Sequence, residues 1–182
     1  MILTVEFLVL IVLLTTIFWQ VCLILAAVTG SPIVYANKAA VLKSLELAGI
    51  KPGETMIDLG CGDGRTLIMA AQKFGAKGIG VDRSLWCYIK SNFNIFVSGQ
   101  SKNIKIIRGD FQKAGKDLKT ADVVYLYLLN QTLAQIESWL FDSIGSKTRV
   151  VSLAFVFPNK KPTKEADAYT LRQWTKARLY QK

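Results

Sequence analysis

Seven residues, Asp58-Leu59-Gly60-Cys61-Gly62-Asp63-Gly64, constrain this chain most. An apolar run, 55–59, leads into them and a helical pattern begins at Arg65. A strand that passes into a helix through so short a glycine turn opens a β-α unit. Glycine makes the turn possible, because without a Cβ it takes positive φ and lets a ligand approach the backbone. Two common versions of such a turn are excluded. The dinucleotide fingerprint needs a glycine at 65, where Arg65 stands, and a phosphate loop needs a Gly-Lys-Ser/Thr ending that is absent. The alternation continues. Helical spacing covers 37–47 with Asn37 as cap, then 65–74 closed by Gly75, 85–96 and 132–141. Strand patterns fall at 55–59, 78–81, 104–107, 121–129 and 148–157, and a closing hairpin is expected from 168–172 and 177–181 across 173–176. This order predicts an α/β, Rossmann-like fold with a mostly parallel sheet and its ligand outside the carboxyl ends of the strands.

Acids close three successive strands: Asp58, then Asp82 after Ile79-Gly80-Val81, then Asp110 in Gly109-Asp110-Phe111. Asp82 follows Asp58 by 24 positions, close to the roughly 20-residue offset at which an acid meets ribose hydroxyls in such folds. The run from Asp58 to Gly64 resembles motif I of class I S-adenosylmethionine (SAM) methyltransferases, Asp/Glu-x-Gly-x-Gly-x-Gly. That resemblance implies SAM as cofactor, held by Asp58, Gly60, Cys61, Gly62 and Gly64. It implies Asp82 on the ribose with Arg83 beside it, Asp110 on the adenine amino group, Phe111 on the ring face, and Leu126 at the fourth strand end.

Residues 7–28 form a second constraint: 22 residues without a charge. As a helix they extend roughly 33 Å, enough for a hydrocarbon core of about 30 Å. A signal peptide would have a basic start and a shorter apolar stretch, whereas Glu6 precedes this one and no Lys or Arg does. The expectation is one retained transmembrane helix, 1–29, followed by a single domain, 30–182. Lys38, Lys43 and Lys51 follow the span, which by the positive-inside rule puts the domain in the cytoplasm. All 23 basic residues lie after the span against 12 of the 13 acids, a net +11 on that part. Seven of the basic residues, Lys160, Lys161, Lys164, Arg172, Lys176, Arg178 and Lys182, crowd its end. Anionic lipid headgroups, nucleic acid, or simple solvation each fit such a surface, with lipid favoured and nucleic acid unfavoured because the anchor already holds the domain at a bilayer. Cys22, Cys61 and Cys87 have no paired spacing, so neither a disulfide framework nor a metal site is expected. With no histidine in the chain, catalysis that needs a histidine base or ligand is excluded.

The whole part after the span resembles a narrower family. These are the small single-span methyltransferases related to the lysine methyltransferases of the ATP synthase c-subunit and the adenine nucleotide carrier. The resemblance rests on four parts: Gly30-Ser31-Pro32-Ile33-Val34, the Asp58–Arg65 run, Asp122-Val123-Val124-Tyr125-Leu126-Tyr127-Leu128-Leu129, and Thr148-Arg149-Val150-Val151-Ser152 with Phe155 and Phe157. It implies transfer of a methyl group from SAM to a lysine of a membrane protein, with Tyr35, Tyr127 and Asn130 on the substrate side. The chain departs from the family where Asn130 replaces a usual proline and near Leu153, where relatives often carry a polar residue or histidine. Methyl transfer from a sulfonium is mainly a positioning problem and needs no histidine. The fourth strand end, Leu126-Tyr127-Leu128-Leu129, lacks the side-chain carbonyl that grips a planar exocyclic amine in methyltransferases of DNA amines and protein glutamine. An aliphatic amine or another small nucleophile is therefore expected over adenine. Methylation of a lipid, quinone or other small molecule, and SAM binding without catalysis, stay open at this stage, as does the oligomeric state.

Overall fold

The computed structural model describes the backbone of residues 2–28, 35–170 and 173–182, and the side chains of 5–21, 35–169 and 174–182. The chain divides into two compact units, Met1–Val34 and Tyr35–Lys182. The first contains one helix, α1 (Ile2–Val28), whose side chains from Val5 to Val21 are all exposed. Those side chains cover about 26 Å at helical rise, short of a hydrocarbon core of about 30 Å. Among the described residues no helix is long and apolar enough to cross a membrane. The span read from the sequence, 7–28, runs on past the described side chains. Cys22, the Gly30–Val34 lead-in and Arg172 also lie outside them.

The second unit is built on a seven-stranded sheet in the order β3-β2-β1-β4-β5-β7-β6. Its strands are β1 (Thr55–Leu59), β2 (Lys77–Asp82), β3 (Ile104–Arg108), β4 (Val123–Leu126), β5 (Arg149–Leu153), β6 (Lys164–Thr170) and β7 (Gln173–Gln181). The first five pair in parallel, and β7 runs antiparallel to both β5 and β6. Strand order reverses between β1 and β4, which opens a crevice at their carboxyl ends. Alternate residues feed two cores. Met56, Val123 and Tyr125 face one with Leu45 and Leu67, while Ile57, Leu59, Val124 and Leu126 face the other with Leu133 and Leu140. Burial on both faces explains why the central strands read as continuous apolar runs.

The helices begin and end where local chemistry dictates. In α2 (Lys38–Ala48) the Asn37 side chain accepts from the Ala39 N–H, and Gly49 closes the helix in the left-handed region. In α3 (Arg65–Phe74) Gly75 does the same. In α4 (Leu85–Val97) the Ser84 hydroxyl accepts from the Cys87 N–H. A short 3-10 turn, Phe111–Ala114, and α5 (Gly115–Leu118) follow β3, and α6 (Asn130–Ser143) follows β4.

In three places the boundaries differ by more than two residues from the sequence reading. The strand expected at 121–129 is only Val123–Leu126, because Leu126 pairs with the last residue of β1 and with Ser152 of β5, beyond which β4 has no paired neighbour. The strand expected at 148–157 stops at Leu153, where Ala154 takes φ 68 and turns the chain out of the sheet. The hairpin is longer than expected and 173–176 belongs to β7, since Glu165 registers against Arg178 and Tyr169 against Trp174. The last two rings meet edge to face at 5.6 Å, and such cross-strand pairs set register.

Candidate cofactor and substrate site

The glycine turn lies at the carboxyl end of β1 and is tied to β2. Gly60 and Cys61 both donate to the Val81 carbonyl, at 2.8 and 3.2 Å. Gly60, Gly62 and Gly64 all have positive φ, at 88°, 54° and 78°, so the turn needs glycine on conformational grounds alone. At Gly62 the position of a Cβ meets no atom within 4 Å. The outer face of the turn is therefore open, and a ligand can lie against its backbone.

Asp82 orders this turn. One of its carboxylate oxygens accepts from the Gly62 N–H at 3.0 Å and the other from the Ser84 N–H at 2.9 Å. The carboxylate is part-buried, and that burial pushes its pKa up against the opposing pull of the backbone N–H groups. Asp58 is deeper, 2% exposed. Burial first, then the charges of Asp82 and Asp63, raise its pKa to about 8, and the Thr66 hydroxyl only partly offsets them. The Tyr125 hydroxyl is buried near Asp58, Thr66 and Ser44 and makes no hydrogen bond of standard geometry. Asp63 goes the other way. Burial alone would raise its pKa, but the guanidinium of Arg65, at 2.7 Å, more than reverses this.

Arg65 does more than hold Asp63. It donates to the Ala36 carbonyl at 3.1 Å and lies over the Tyr35 ring at 4.5 Å. Lys90 of α4 reaches the same ring at 4.8 Å and donates to its hydroxyl at 3.1 Å. Tyr35 is thus clamped between the first residue of α3 and the middle of α4. Asn94 fastens α4 to the turn by donating to the Asp63 carbonyl at 2.9 Å. The sequence reading did not single out Arg65, Ser84, Lys90 or Asn94 for these contacts. The signal for Arg65 was present, since it stands where the dinucleotide motif has glycine.

The other sequence-predicted residues fall as follows. Asp110 and Arg83 are both exposed and form an ion pair at 2.8 Å on the rim of a hollow of about 310 Å³, with Arg108, Gly109 and Lys113 as its other walls. Exposed pairs of this kind are worth about 0–1 kcal/mol, so a ligand group can displace Arg83 from Asp110. Phe111 is half-buried against the second core. The Cys61 thiol and the Leu126 side chain point into the core, so these residues offer a ligand backbone rather than side chain. Burial, above all, raises the Cys61 pKa, as for an inert thiol. Leu128 packs against Gly60, with Cδ2 2.8 Å from where a Cβ would stand, which puts the segment after β4 beside the turn. There Tyr127 and Phe155 form a tilted ring pair at 5.8 Å, and Asn130 Oδ1 accepts from the Val156 N–H at 3.1 Å. The turn at Ala154 delivers Phe155 to this place, and its left-handed backbone is the kind of strain that clusters at functional sites. Of the basic tail, Lys176 and Arg178 both pair with Glu165, and Lys160 lies over the Phe141 ring. Among the described residues no group of acids and thiols has the geometry to hold a metal ion.

These features suit SAM. The face of the turn at Gly62 is open, a part-buried carboxylate stands at the second strand end, and a hollow with an exposed acid stands at the third. Comparison with known proteins agrees. The family model of the ANTKMT methyltransferase domain matches residues 58–164. A protein-lysine N-methyltransferase of Saccharolobus islandicus is 32% identical over 125 residues, covering 68% of this chain and 76% of that protein. The adenine nucleotide translocase lysine N-methyltransferase of Mus musculus is 29% identical over 144 residues, covering 79% of this chain and 61% of its own length. Among solved structures, an RNA methyltransferase from Salinibacter ruber in complex with S-adenosylhomocysteine has a TM-score of 0.75 at 30% identity, covering 81% of this chain and 93% of that one.

Proposed function

The chain belongs to the ANTKMT methyltransferase domain family and is a SAM-dependent methyltransferase, and from that premise we propose that it methylates lysine side chains of a membrane protein. The observation that carries the lysine reading is the Tyr127–Phe155 ring pair beside the glycine turn, in place of a side-chain carbonyl at the fourth strand end. Aromatic faces receive an aliphatic chain and its ammonium group. They lack the carbonyl acceptor that grips a planar exocyclic amine. The relatives from Saccharolobus and mouse, whose names state lysine methylation, support the same reading.

When bound, SAM supplies a methyl group on a positively charged sulfur. The residues of this chain hold and aim it. Asp82 orders the Gly62 turn and would accept from the ribose hydroxyls, Asp110 would accept from the adenine amino group, and Phe111 would pack against the ring. The substrate amine enters past Tyr127 and Phe155. Its neutral form is favoured by an apolar entrance, because burial disfavours the charged ammonium. Held by those residues, SAM would supply its methyl group to the nitrogen that Tyr127 and Phe155 present, the bond electrons leaving with sulfur. The ammonium so formed loses its proton to water. Holding the two reactants in line is the main contribution the protein has to make.

The membrane enters through the uncharged stretch 7–28, read as a retained anchor with the catalytic domain on the cytoplasmic side. An anchored enzyme meets membrane proteins at high effective concentration. The test is incubation of membranes containing the full chain with SAM labelled in its methyl group, followed by separation of protein, lipid and RNA. Label in protein that hydrolyses to methyl-lysine supports the reading. Label confined to the lipid extract points to a lipid or quinone substrate, and label in RNA to a nucleic acid; either overturns it.

A further inference from the structure

Helix α4 is apolar on the wrong side. Its inward positions are Cys87, Ser91 and Ile95, one residue per turn and mostly small. Small residues are required there, since Ser91 lies 3.3 Å from where a Cβ on Gly64 would stand. Its outward positions are Leu85, Trp86, Ile89, Phe93, Phe96 and Val97, all exposed, with Phe93 at 65% and Phe96 at 74%. At about 100° per residue these six fall within an arc of about 120°. A surface helix normally shows the reverse arrangement, and a contiguous exposed apolar stripe marks a place of interaction. Nothing in the packing of α4 on β2 and β3 calls for large apolar groups facing out.

Charge identifies the occupant. From Arg83 to Gly109 the chain has five basic residues, Arg83, Lys90, Lys102, Lys105 and Arg108, and no acid. All but Lys90 are exposed, and Lys105, between the Ile104 and Ile106 that share a core with α4, projects from the other face of the sheet. A second copy of this chain seated on the same stripe would bring eight cations together against the Asp110 that pairs with Arg83 in each copy. An anionic bilayer offers both complements at once, acyl chains for the stripe and phosphates for the cations, which is the composition of interfacial helices.

We propose that α4 and the basic residues around it form a membrane-contact surface of the catalytic unit itself, which seats in the headgroup region of an anionic bilayer. The proposal rests on the reading that the enzyme works at a membrane. It adds an orientation. Ser84, which caps α4, also donates to Asp82, and Lys90 of α4 holds Tyr35. Seating α4 therefore brings the rim of the cofactor site to the lipid surface, where a lysine near the interface is within reach.

The test uses the full chain with Cys22→Ser, carrying either Phe93→Cys or Lys116→Cys, labelled with an environment-sensitive dye and reconstituted in phosphatidylcholine vesicles with and without phosphatidylglycerol. Lys116, exposed on α5, is the control. The expected result is that the dye at 93, and not at 116, is quenched by nitroxide-bearing lipid, shielded from aqueous iodide, and shifted to shorter wavelength when phosphatidylglycerol is present. Lys102→Glu reduces this quenching, by about fivefold in the seated population for the positive charge removed, while S-adenosylhomocysteine binding is kept. A dye at 93 open to iodide in both lipids overturns the proposal. So does one shielded from iodide yet silent to nitroxide lipid, which means a protein surface covers the stripe. Quenching indifferent to phosphatidylglycerol overturns it as an anionic-lipid surface. Retention of the same chains in carbonate-washed membranes is measured alongside, so failure at α4 is distinguishable from failure of the anchor.

Discussion

Two glycines eighteen residues apart, Gly62 and Gly80, separate binding from folding. At Gly62 an added Cβ touches nothing within 4 Å, so the cost to the fold is that of φ +54 alone. For a residue other than glycine that is about 1–2 kcal/mol, or a fall in Tm of roughly 2–8 °C in a domain of this size. The same Cβ projects from the open face on which the proposed site places the cofactor. If the ligand must shift as a packed group does when a methyl is forced in, about 1–3 kcal/mol of binding is lost, roughly 5- to 150-fold. Gly80 is the opposite case. Its Cβ would stand 2.7 Å from Cys61 Sγ and Ile106 Cδ1 and 2.8 Å from Leu67 Cδ1. Three such contacts inside a close-packed core cost about 1–3 kcal/mol of stability or more, with no new atom facing the ligand. The assay is calorimetric titration of S-adenosylhomocysteine into the full chain in detergent, well below the lower Tm, with thermal melts of the same samples. Gly62→Ala is expected to bind at least fivefold more weakly than Gly80→Ala while melting no lower. Wild-type affinity in Gly62→Ala would refute the placement of the cofactor on this turn.

Other expectations follow from the charged groups and the anchor. The Asp58 carboxyl has a folded-state pKa of about 8 against an ordinary value of 3.8, so the folded state holds the proton longer. Its contribution to stability is full below pH ~4 and is lost as pH rises toward ~8, by up to about 4 kcal/mol at pH 7. Denaturant melts of wild type and Asp58→Asn across this range should show the variant gaining on wild type as pH rises; a constant difference would mean Asp58 is not buried as described. Asp82→Ala should weaken S-adenosylhomocysteine binding by about 1.5–3 kcal/mol, the range for a hydrogen bond to a charged group, and Asp110→Ala should lower discrimination against analogues lacking the adenine amino group. Unchanged titrations in both variants would reduce these acids to ordinary turn residues. The full chain should resist carbonate extraction from membranes, and a mature N-terminus near Thr29 would instead identify residues 1–28 as a cleaved leader.

Much of the catalytic unit was legible because its signals are local. The cap at Asn37 and the stop glycine at 75 are short-range chemistry, and the helices they bound run close to where the spacing places them. The three strand-end acids were legible from their order along the chain. What was not legible depends on contacts distant in sequence. Where β4 ends is decided by β1 and β5, 67 and 26 residues away at the Leu126 pairs. The clamp on Tyr35 depends on Lys90, 55 residues on. The apolar face of α4 could not be told from a buried face by periodicity, because both look alike until the neighbours are known. Cys61 and Leu126 were expected at the cofactor on motif grounds, and only the fold shows that their side chains turn inward.

The central claim, lysine methylation at a membrane, is met most directly by mass spectrometry of integral membrane proteins from cells with and without this chain, alongside cells carrying Gly62→Ala. The account predicts at least one lysine that is methylated with the wild-type chain, unmodified without it, and strongly reduced with the variant. A membrane proteome with identical lysine methylation in all three, while a lipid, quinone or RNA fraction loses a methyl group when the chain is absent, would contradict it.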